Sequence, residues 1–338
     1  MTPRFSAIVP VLARTAEARA DLDRCLAALL ACDPAPVEIL VVDDGSPTPI
    51  AAPPPAAPPS AGPRPPVRVL RQANAGPAAA RNAGAAGATG DILVFVDADI
   101  VVPPDTFARL AAGFAGDPDA AAIWGTVTAA HPHPGVVSRY KNHTHRHFTL
   151  AQGRETRHLT TMLAAVRRAA FVAAGGFDTR LRTVSVEDVE LGRTLYDRGE
   201  RVLLDKELAA EHRHRFSLVG ALRNDFHKAR HHAKTTLQRR LRGDASVALD
   251  GPGERRQFRY LVGVPLGVGA LGAALTGRWA LSAGLAAALV GWESDLWGYL
   301  RREEGLPFAL ACVPLMAIER TTVAVAVIAG TVDLVRGR

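Results

Sequence analysis

The segment Gly90–Asp105, with the sequence GDILVFVDADIVVPPD, joins a run of apolar and β-branched residues to two aspartates, Asp97 and Asp99. The run is typical of a buried β-strand that ends where the acidic residues begin. A single acidic residue there would be explained by a turn or a helix cap. Because residues two apart on a strand share a face, both carboxylates point to the same side, and their repulsion must be compensated. The pair therefore predicts a site for a hard divalent cation and a phosphate partner.

The sequence around this segment alternates between strand-like and helical patterns. Leucines and Cys25 recur at helical spacing after the first strand, and an Ala/Gly-rich helix precedes Gly90. The other strand-like runs are FSAIVPV (5–11), VEILVVDDGS (37–46), VRVLRQ (67–72) and AAAIWGTVTA (120–129). This alternation predicts an α/β fold with a mainly parallel, Rossmann-like sheet and flanking helices, in which ligands bind beyond the carboxyl ends of the strands. Asp43 and Asp44 follow the second strand at the same edge.

Two segments of biased composition interrupt the pattern. Residues 47–66 contain ten prolines in twenty positions, which excludes a helix or a central strand and predicts a solvated excursion from the core. Residues 131–147, HPHPGVVSRYKNHTHRH, are rich in histidine but match none of the usual zinc-ligand spacings. We therefore expect an interfacial or acceptor-facing segment there.

The C-terminal part of the chain is basic and then apolar. From Arg213 to Tyr260 there are 12 Lys or Arg against 4 Asp or Glu, and apolar runs follow at Tyr260–Trp292 and Leu306–Val332. The first run predicts two short helices turning near Thr276–Arg278, in the membrane or, alternatively, as a hairpin buried in a globular core. The second carries Glu319 and Arg320 and is either a span or an interfacial helix.

These patterns predict a catalytic domain at residues 1–245 and a membrane-associated region of transmembrane or interfacial helices at residues 246–338. Basic residues before the first apolar run place the catalytic domain on the cytoplasmic side of the cell membrane. The N-terminal apolar run is too short for a signal peptide. The three cysteines lie in apolar surroundings and are expected to be reduced. Nucleic acid is the weakest of the candidate partners, because the basic block leads straight into lipid-like sequence, and no nucleic-acid partner is expected.

Several motifs in this order resemble the family 2 glycosyltransferases of the GT-A fold. The resemblance runs from Phe5 to about Leu218. The motifs are AIVPV with LDRCLAALL, EILVVDDGS, NAGPAAARNAGAAGATGDILVFVDAD, GGFDTRL, VEDVELGRTLYDRGERVLL and AAEHRHRFSL. The resemblance implies an inverting enzyme that uses a sugar nucleotide of the UDP or GDP type.

For the donor, the resemblance implies that Asp44, with Asp43 beside it, recognises the nucleobase end next to backbone groups around Pro10. Arg81 occupies the position of a basic contact to the donor, and Asp97 lies near the ribose. The Pro-rich excursion replaces much of the segment that follows the second strand in the family, so contacts beyond Ser46 are not carried over.

For the chemistry, the resemblance implies that Asp99, with Asp97, belongs to the D-x-D pair that holds Mg2+ or Mn2+, and that His212 reaches the metal or the diphosphate. Asp188 matches the catalytic base, and Glu187 supports it. The acidic VEDVE segment alone would equally fit the N-terminus of a helix.

The chain departs from the processive members of the family because it lacks their Q-x-x-R-W motif; the nearest match is Gln238–Arg242, QRRLR. We therefore expect transfer of a single sugar, to an acceptor that is membrane-proximal or lipid-linked. Two alternatives stay open at this point. One is glycosylation of a soluble small molecule by an anchored enzyme, and the other is a sugar-nucleotide-binding membrane protein without turnover.

Overall fold

A computed structural model of the chain describes residues 3–52, 65–180, 186–243 and 252–336, and only the backbone of residues 252–261. Most of the Pro-rich excursion lies outside these residues. The described chain forms two compact units, one comprising residues 1–128 and 153–214 and the other residues 129–152 and 215–338. The first is called the sheet unit and the second the helical unit. The two units are defined by how the chain packs. The predicted boundary between a catalytic domain (1–245) and a membrane-associated region (246–338) is a functional one and stays a prediction.

The sheet unit is built on eight strands in the order β3-β2-β1-β4-β7-β6-β8-β5. The strands are β1 (Phe5–Val11), β2 (Glu38–Asp43), β3 (Val67–Arg71), β4 (Ile92–Val96), β5 (Ile100–Val101), β6 (Ala120–Val127), β7 (Leu163–Arg167) and β8 (Arg201–His212). β1 to β4 pair in parallel, and so do β6 and β8. β7 lies antiparallel between β4 and β6. The predicted α/β fold with a mainly parallel sheet is confirmed, with the inserted antiparallel strand β7 and a short edge strand, β5, that pairs antiparallel with β8.

Five helices belong to the sheet unit: α1 (Ala16–Leu30), α2 (Pro77–Gly87), α3 (Thr106–Gly116), α5 (Arg168–Ala173) and α6 (Glu187–Asp197). Alternate strand residues face opposite apolar layers, as their period of two requires. Val9, Val41 and Val94 face one layer, and their neighbours Ile8, Leu40 and Phe95 face the other. The central strands are therefore buried on both faces, which explains their near-continuous apolar sequences.

The Ala/Gly-rich helix α2 packs closely on the sheet. A Cβ atom added at Gly84 would lie 2.4 Å from Cγ2 of Ile8. Glycine is thus required there for the close approach of helix and strand. α2 begins with Pro77, whose fixed φ suits the first helical turn.

The helical unit contains α4 (Val136–Leu150), α7 (Leu218–Leu241), α8 (Pro252–Leu275), α9 (Trp279–Trp292), α10 (Ser294–Glu304) and α11 (Leu306–Val335). The predicted turn between the first two apolar helices lies at residues 276–278. Among the described residues, α11 is the one helix that is long and apolar enough to cross a membrane. The histidine-rich segment forms α4, and α10 is an additional amphipathic helix.

Candidate functional site

The carboxyl end of β4 brings Asp97 and Asp99 to the edge of the sheet, as the D-x-D spacing predicted. Both carboxylates are partly exposed, with 29% and 28% of their side-chain surface accessible. The backbone N–H of Asp97 donates to the carbonyl of Met162, 3.3 Å away, just before β7. The inserted antiparallel strand thus fixes one side of this turn.

Arg81, on the first turns of α2, joins two elements of the site. Its Nη2 donates to Asp97 at 2.7 Å, and its Nη1 donates to Glu187 at 2.8 Å. The guanidinium is buried, and it lies 5.7 Å from the centre of the Phe177 ring. Arg81 therefore holds the end of β4 and the start of α6 together, so the predicted donor contact is also an internal bridge. Phe177 itself is a core residue that packs on Phe95.

Asp188 follows Glu187 in the first turn of α6, where an acidic residue is favoured by the helix dipole. Its Oδ1 accepts from the backbone N–H of Val189 at 2.8 Å. Its Oδ2 accepts from the backbone N–H and the hydroxyl of Thr161, at 3.2 Å and 3.4 Å. The carboxylate is thus oriented from two sides while its residue remains only partly buried.

The end of β8 carries two histidines that face Asp99. Nδ1 of His214 lies 3.1 Å from Oδ2 of Asp99, and Nε2 of His212 lies 3.9 Å from the same oxygen. The two imidazole rings are nearly parallel, with centroids 6.1 Å apart. The resemblance singled out His212 and not His214. The H-x-H spacing was the available signal, because it places both side chains on one face of an extended chain, as D-x-D does.

The charges of these groups shift one another's pKa values in opposite directions. Burial raises the pKa of Asp97 to about 6, although the neighbouring Arg81 acts to lower it. Burial also acts to raise the pKa of Asp99, but the hydrogen bond from His214 and the charge of His212 hold it below its ordinary value. The hydrogen bond to Asp99 in turn raises the pKa of His214. Two adjacent carboxylates with different proton affinities are typical of a functional site.

Asp43 is the last residue of β2 and Asp44 follows it, on the other side of β1 from β4. Both oxygens of the fully buried Asp43 are used internally, accepting from the backbone N–H of Ser46 at 2.8 Å and from Arg71 at 2.6 Å. Asp44 accepts from the backbone N–H groups of Ala75 and Gly76, both at 2.9 Å. Both aspartates therefore shape the loops at this edge, and their contact with a nucleobase stays a prediction.

Pro10 lies on β1, in register with Val42 of β2, close to the end of the strand. Its residue is partly buried, so its position is compatible with the backbone contact expected there. The other predicted site residues lie close together. Each either contacts another member of the group or shifts its pKa through its charge: Arg81, Asp97, Asp99, Glu187, Asp188 and His212.

The side chains at the end of β4 can be compared with the ligands that a divalent cation prefers. Within the described residues, no three His, Cys, Asp or Glu side chains form a group that could hold a metal ion by themselves. Mg2+ is usually bound by one or two carboxylates together with substrate phosphates. The partly exposed carboxylates of Asp97 and Asp99 therefore fit a cation that takes its remaining ligands from a bound diphosphate. Metal binding by these two residues and His212 stays a prediction.

Comparison with known proteins identifies the sheet unit. Residues 6–173 match the family model described as Glycosyl transferase family 2. This range includes the β4 aspartates and Arg81, and it ends before Asp188. The observed motifs and the family match thus concern the same part of the chain.

Two curated relatives are similar to part of the chain. The pre-mycofactocin glycosyltransferase of Mycobacterium tuberculosis is 29% identical over 191 residues, which are 54% of this chain and 38% of that protein. The glucosyl-dolichyl phosphate glucuronosyltransferase of Haloferax volcanii is 27% identical over 156 residues, which are 41% of this chain and 48% of that protein. The matches thus span less than half the length of these relatives.

A solved structure shares the fold over the whole chain. The mannosyltransferase PcManGT from Pyrobaculum calidifontis, in complex with GDP-Man and Mn2+, superposes with a TM-score of 0.56 at 20% identity. The superposition covers 100% of this chain and 88% of that chain. At this identity the likeness establishes the GT-A architecture.

Proposed function

Because the chain belongs to glycosyl transferase family 2, we propose that it transfers one sugar from a nucleoside-diphosphate sugar to an acceptor hydroxyl, with inversion at the anomeric carbon. The observation that carries this proposal is the single connected group of charges at the edge of the sheet. Arg81 links the β4 aspartates to the first turn of α6, and Asp99 faces two histidines. A UDP or GDP donor is expected from the resemblance.

The donor side of the reaction would lie at Asp97, Asp99 and the histidine pair. Departure of the nucleoside diphosphate leaves negative charge on its terminal oxygens, and this charge has to be stabilised in the transition state. Mg2+ or Mn2+ held by Asp99, Asp97 and His212 would supply positive charge there. Protonation of the leaving group is then unnecessary, so the reaction needs no general acid.

The acceptor side would lie at Asp188. An acceptor hydroxyl has to lose its proton as it attacks the anomeric carbon, and an oriented, partly exposed carboxylate is a suitable general base. Glu187 would act indirectly, because its carboxylate forms an ion pair with Arg81 and so keeps the guanidinium in position. One in-line displacement inverts the anomeric configuration and requires no nucleophilic residue.

The acceptor is proposed to be membrane-proximal or lipid-linked, with the enzyme at the cell membrane and its catalytic domain on the cytoplasmic side. Support comes from the apolar helices α8, α9 and α11, from the basic block that precedes them, and from the name of the dolichyl phosphate relative. A second candidate is a soluble small molecule, glycosylated by a membrane-attached enzyme. This candidate is kept because the name of the pre-mycofactocin relative mentions no lipid.

The experiment begins with donor binding. Thermal shift with UDP- and GDP-sugars, with and without Mn2+, identifies the donor because a specific ligand raises Tm by mass action. We expect the shift to require the cation. Purified enzyme is then assayed with the identified donor and with a polyprenyl phosphate or a soluble acceptor.

The variant Asp188→Asn separates transfer from binding. It should retain the donor-dependent Tm shift and lose transfer by a factor of about 10^2 to 10^4, the usual contribution of a general base. Glu190→Gln is the matched control, because Glu190 lies in the same helical turn but pairs with Arg193. Full transfer by Asp188→Asn would contradict the assignment. Donor binding with no turnover in the parent enzyme would favour a binding protein instead.

A further inference from the structure

The helical unit, whose long helix α11 has the length of a membrane span, also carries a broad exposed apolar surface. We propose that this unit binds one face of an anionic membrane and lies in the interface of a single leaflet, with no helix crossing the bilayer. The apolar surface is formed by the α8–α9 hairpin and the outer face of α11. The inference rests on the membrane association proposed above and specifies its mode.

Two charged residues lie near the middle of α11. A transmembrane helix needs about 20 consecutive apolar residues. Any 20 consecutive residues of this 30-residue helix include Glu319 and Arg320. Arg320 donates to Glu293 at 2.9 Å, and Glu319 accepts from Lys141 at 2.9 Å. If α11 crossed the bilayer, the charged partners Glu293 and Lys141 would therefore also lie within the hydrocarbon core.

Contacts with charged side chains also recur along the whole of α11. Near its start, the guanidinium of Arg139 lies 4.4 Å from the ring centre of Phe308. Near its end, Arg230 donates to Asp333 at 2.5 Å. With Glu319 between them, these positions are about 17 Å and 21 Å apart at about 1.5 Å per residue. No segment of α11 of membrane thickness is free of contact with a charged side chain of α4 or α7.

The neighbour α7 is itself too polar for hydrocarbon. Its 24 residues include seven Asp, Lys or Arg and three His. Each charged side chain at the bilayer centre costs about 2.5–3.5 kcal/mol on insertion scales. α7 also approaches α11 at the level of the backbone, since a Cβ on Gly330 would lie 2.3 Å from the carbonyl oxygen of Arg230. The two helices thus cannot be at different depths.

Tryptophan lies at both ends of α9. Trp279 is 70% exposed and Trp292 is 38% exposed, and the 14 residues from one to the other span about 21 Å. Tryptophan prefers the membrane–water interface, and the hydrocarbon core between the two interfaces is about 30 Å thick. Because α9 is too short to place its two tryptophans in opposite interfaces, both lie in the same one, and α9 lies parallel to the membrane surface and not along its normal.

The apolar surface is preformed in the helical unit. The hydroxyl of Ser282 donates to the carbonyl of Ala270 at 2.8 Å, which joins α9 to α8. On this hairpin Leu275 and Leu281 are 90% and 51% exposed. On α11 a stripe at helical spacing is also exposed: Val325, Ile328, Val332 and Val335. Such a surface of aliphatic and tryptophan side chains fits the upper part of an acyl-chain layer.

Charge selects the lipid. The segment Arg213–Tyr260, which contains α7 and leads into α8, has an excess of eight basic residues over acidic ones. Each Lys or Arg near an anionic surface contributes about 1 kcal/mol of attraction. The partner is therefore a bilayer surface that contains anionic headgroups, rather than a second copy of this basic chain.

The topology is tested on the full-length protein in inverted and right-side-out membrane vesicles, with a membrane-impermeant maleimide. Three single-cysteine additions are used: Arg240→Cys at the end of α7, Thr276→Cys at the tip of the hairpin, and Arg336→Cys directly after α11. The three native cysteines are buried, so the parent protein reports the background. Labelling in detergent confirms that each added thiol is reactive.

We expect all three positions to react from one and the same side. Reaction of positions 240 and 336 from opposite sides, or of position 276 from the far side, would overturn the inference and leave the proposed glycosyl transfer intact. Protection of position 276 from both sides would also overturn it, because the tip would then lie in hydrocarbon. One-sided reaction from the outer face would support it and contradict only the cytoplasmic orientation.

Flotation with vesicles tests the binding surface. The parent protein should float with vesicles of mixed phosphatidylglycerol and phosphatidylcholine and much less with phosphatidylcholine alone. The double variant Trp279→Ser/Trp292→Ser should bind about tenfold more weakly, since it loses buried apolar area. Leu218→Ser on α7 is the matched control and should bind like the parent. A protein that stays unbound as a soluble dimer would overturn the inference and the proposed membrane association together.

Discussion

The two units of this protein contain the same arrangement of charges with different surroundings. In the sheet unit, Arg81 lies between Asp97 and Glu187, at 2.7 Å and 2.8 Å. In the helical unit, Lys141 lies between Asp225 and Glu319, at 2.8 Å and 2.9 Å. We call these the Arg81 bridge and the Lys141 bridge. Each uses one cation, buried at Arg81 and 14% exposed at Lys141, to hold two carboxylates from different elements.

The difference lies in what surrounds each bridge. Asp99 and Asp188 add two further carboxylates beside the Arg81 bridge, and the side chains of Asp97 and Asp99 are more than a quarter exposed. At the Lys141 bridge, Arg320 adds a second cation, and both carboxylates are only 12% exposed. The first group of charges thus retains unneutralised acidic groups for a ligand, whereas the second is closed and stabilises helix packing.

The largest effect is expected from Asp99, which lies beside the Arg81 bridge but is not held by it. Asp99→Asn should lower kcat/KM about a thousandfold, because removing one group that stabilises transition-state charge has effects of this order. Its Tm should stay close to that of the parent. Sugar transfer and thermal unfolding measure the two quantities.

The corresponding change at the other bridge, Asp225→Asn, sharpens the comparison. It should change the Tm and leave the kcat/KM of the folded enzyme nearly unchanged. If Asp225→Asn abolished transfer as completely as Asp99→Asn, the distinction between an open and a closed group of charges would be wrong.

The second prediction concerns the cation of the closed group. Lys141→Met should lower the free energy of unfolding by about 3 kcal/mol, because it leaves Asp225 and Glu319 buried without their common partner. Denaturant unfolding measures the change. Arg223→Met removes an exposed cation from α7 and should change stability by less than about 0.5 kcal/mol. Equal stability of the two variants would show that water already reaches the Lys141 bridge.

The same contrast explains what could be predicted from the sequence. The strands β1, β2, β3, β4 and β6 and the α/β class followed from local patterns, because apolar periodicity and turn residues act over a few positions. The D-x-D pair was found for the same reason. The β7 strand was not predicted, and neither was the Lys141 bridge. Lys141, Asp225 and Glu319 are more than eighty residues apart in sequence, so no local pattern relates them.

The third prediction concerns the orientation of Asp188. Thr161→Ala removes the hydroxyl that reaches its carboxylate at 3.4 Å, while the backbone N–H bond at 3.2 Å remains. We expect kcat to fall about tenfold with little change in donor binding, since a misplaced base affects the chemical step. Thr161→Ser should restore most of the activity. A fall in Tm without a fall in kcat would instead indicate a structural role.

The smallest effect is expected at Glu38, a buried carboxylate that is satisfied mainly by neutral donors. It accepts from the hydroxyl of Ser6 at 2.8 Å, from the backbone N–H of Thr89 at 2.6 Å and from Arg68 at 3.1 Å. Burial acts to raise its pKa, but these hydrogen bonds together hold the pKa below its ordinary value. Glu38 is thus a third case, closed like the Lys141 bridge but without a buried cation.

Because the pKa of Glu38 is lower in the folded state, its stabilisation is present above about pH 4.3, the ordinary pKa of glutamate, and is lost as the pH falls through the folded value. Glu38→Gln should therefore be less stable than the parent by about 1 kcal/mol at pH 7. The difference should narrow toward pH 3, where the parent carboxylate is protonated. Denaturant unfolding between pH 3 and pH 7 measures it. A difference in stability that stays constant with pH would mean that the shape of the Glu38 side chain, and not its charge, stabilises the fold. The closed groups of charges would then differ from the Arg81 bridge by packing alone.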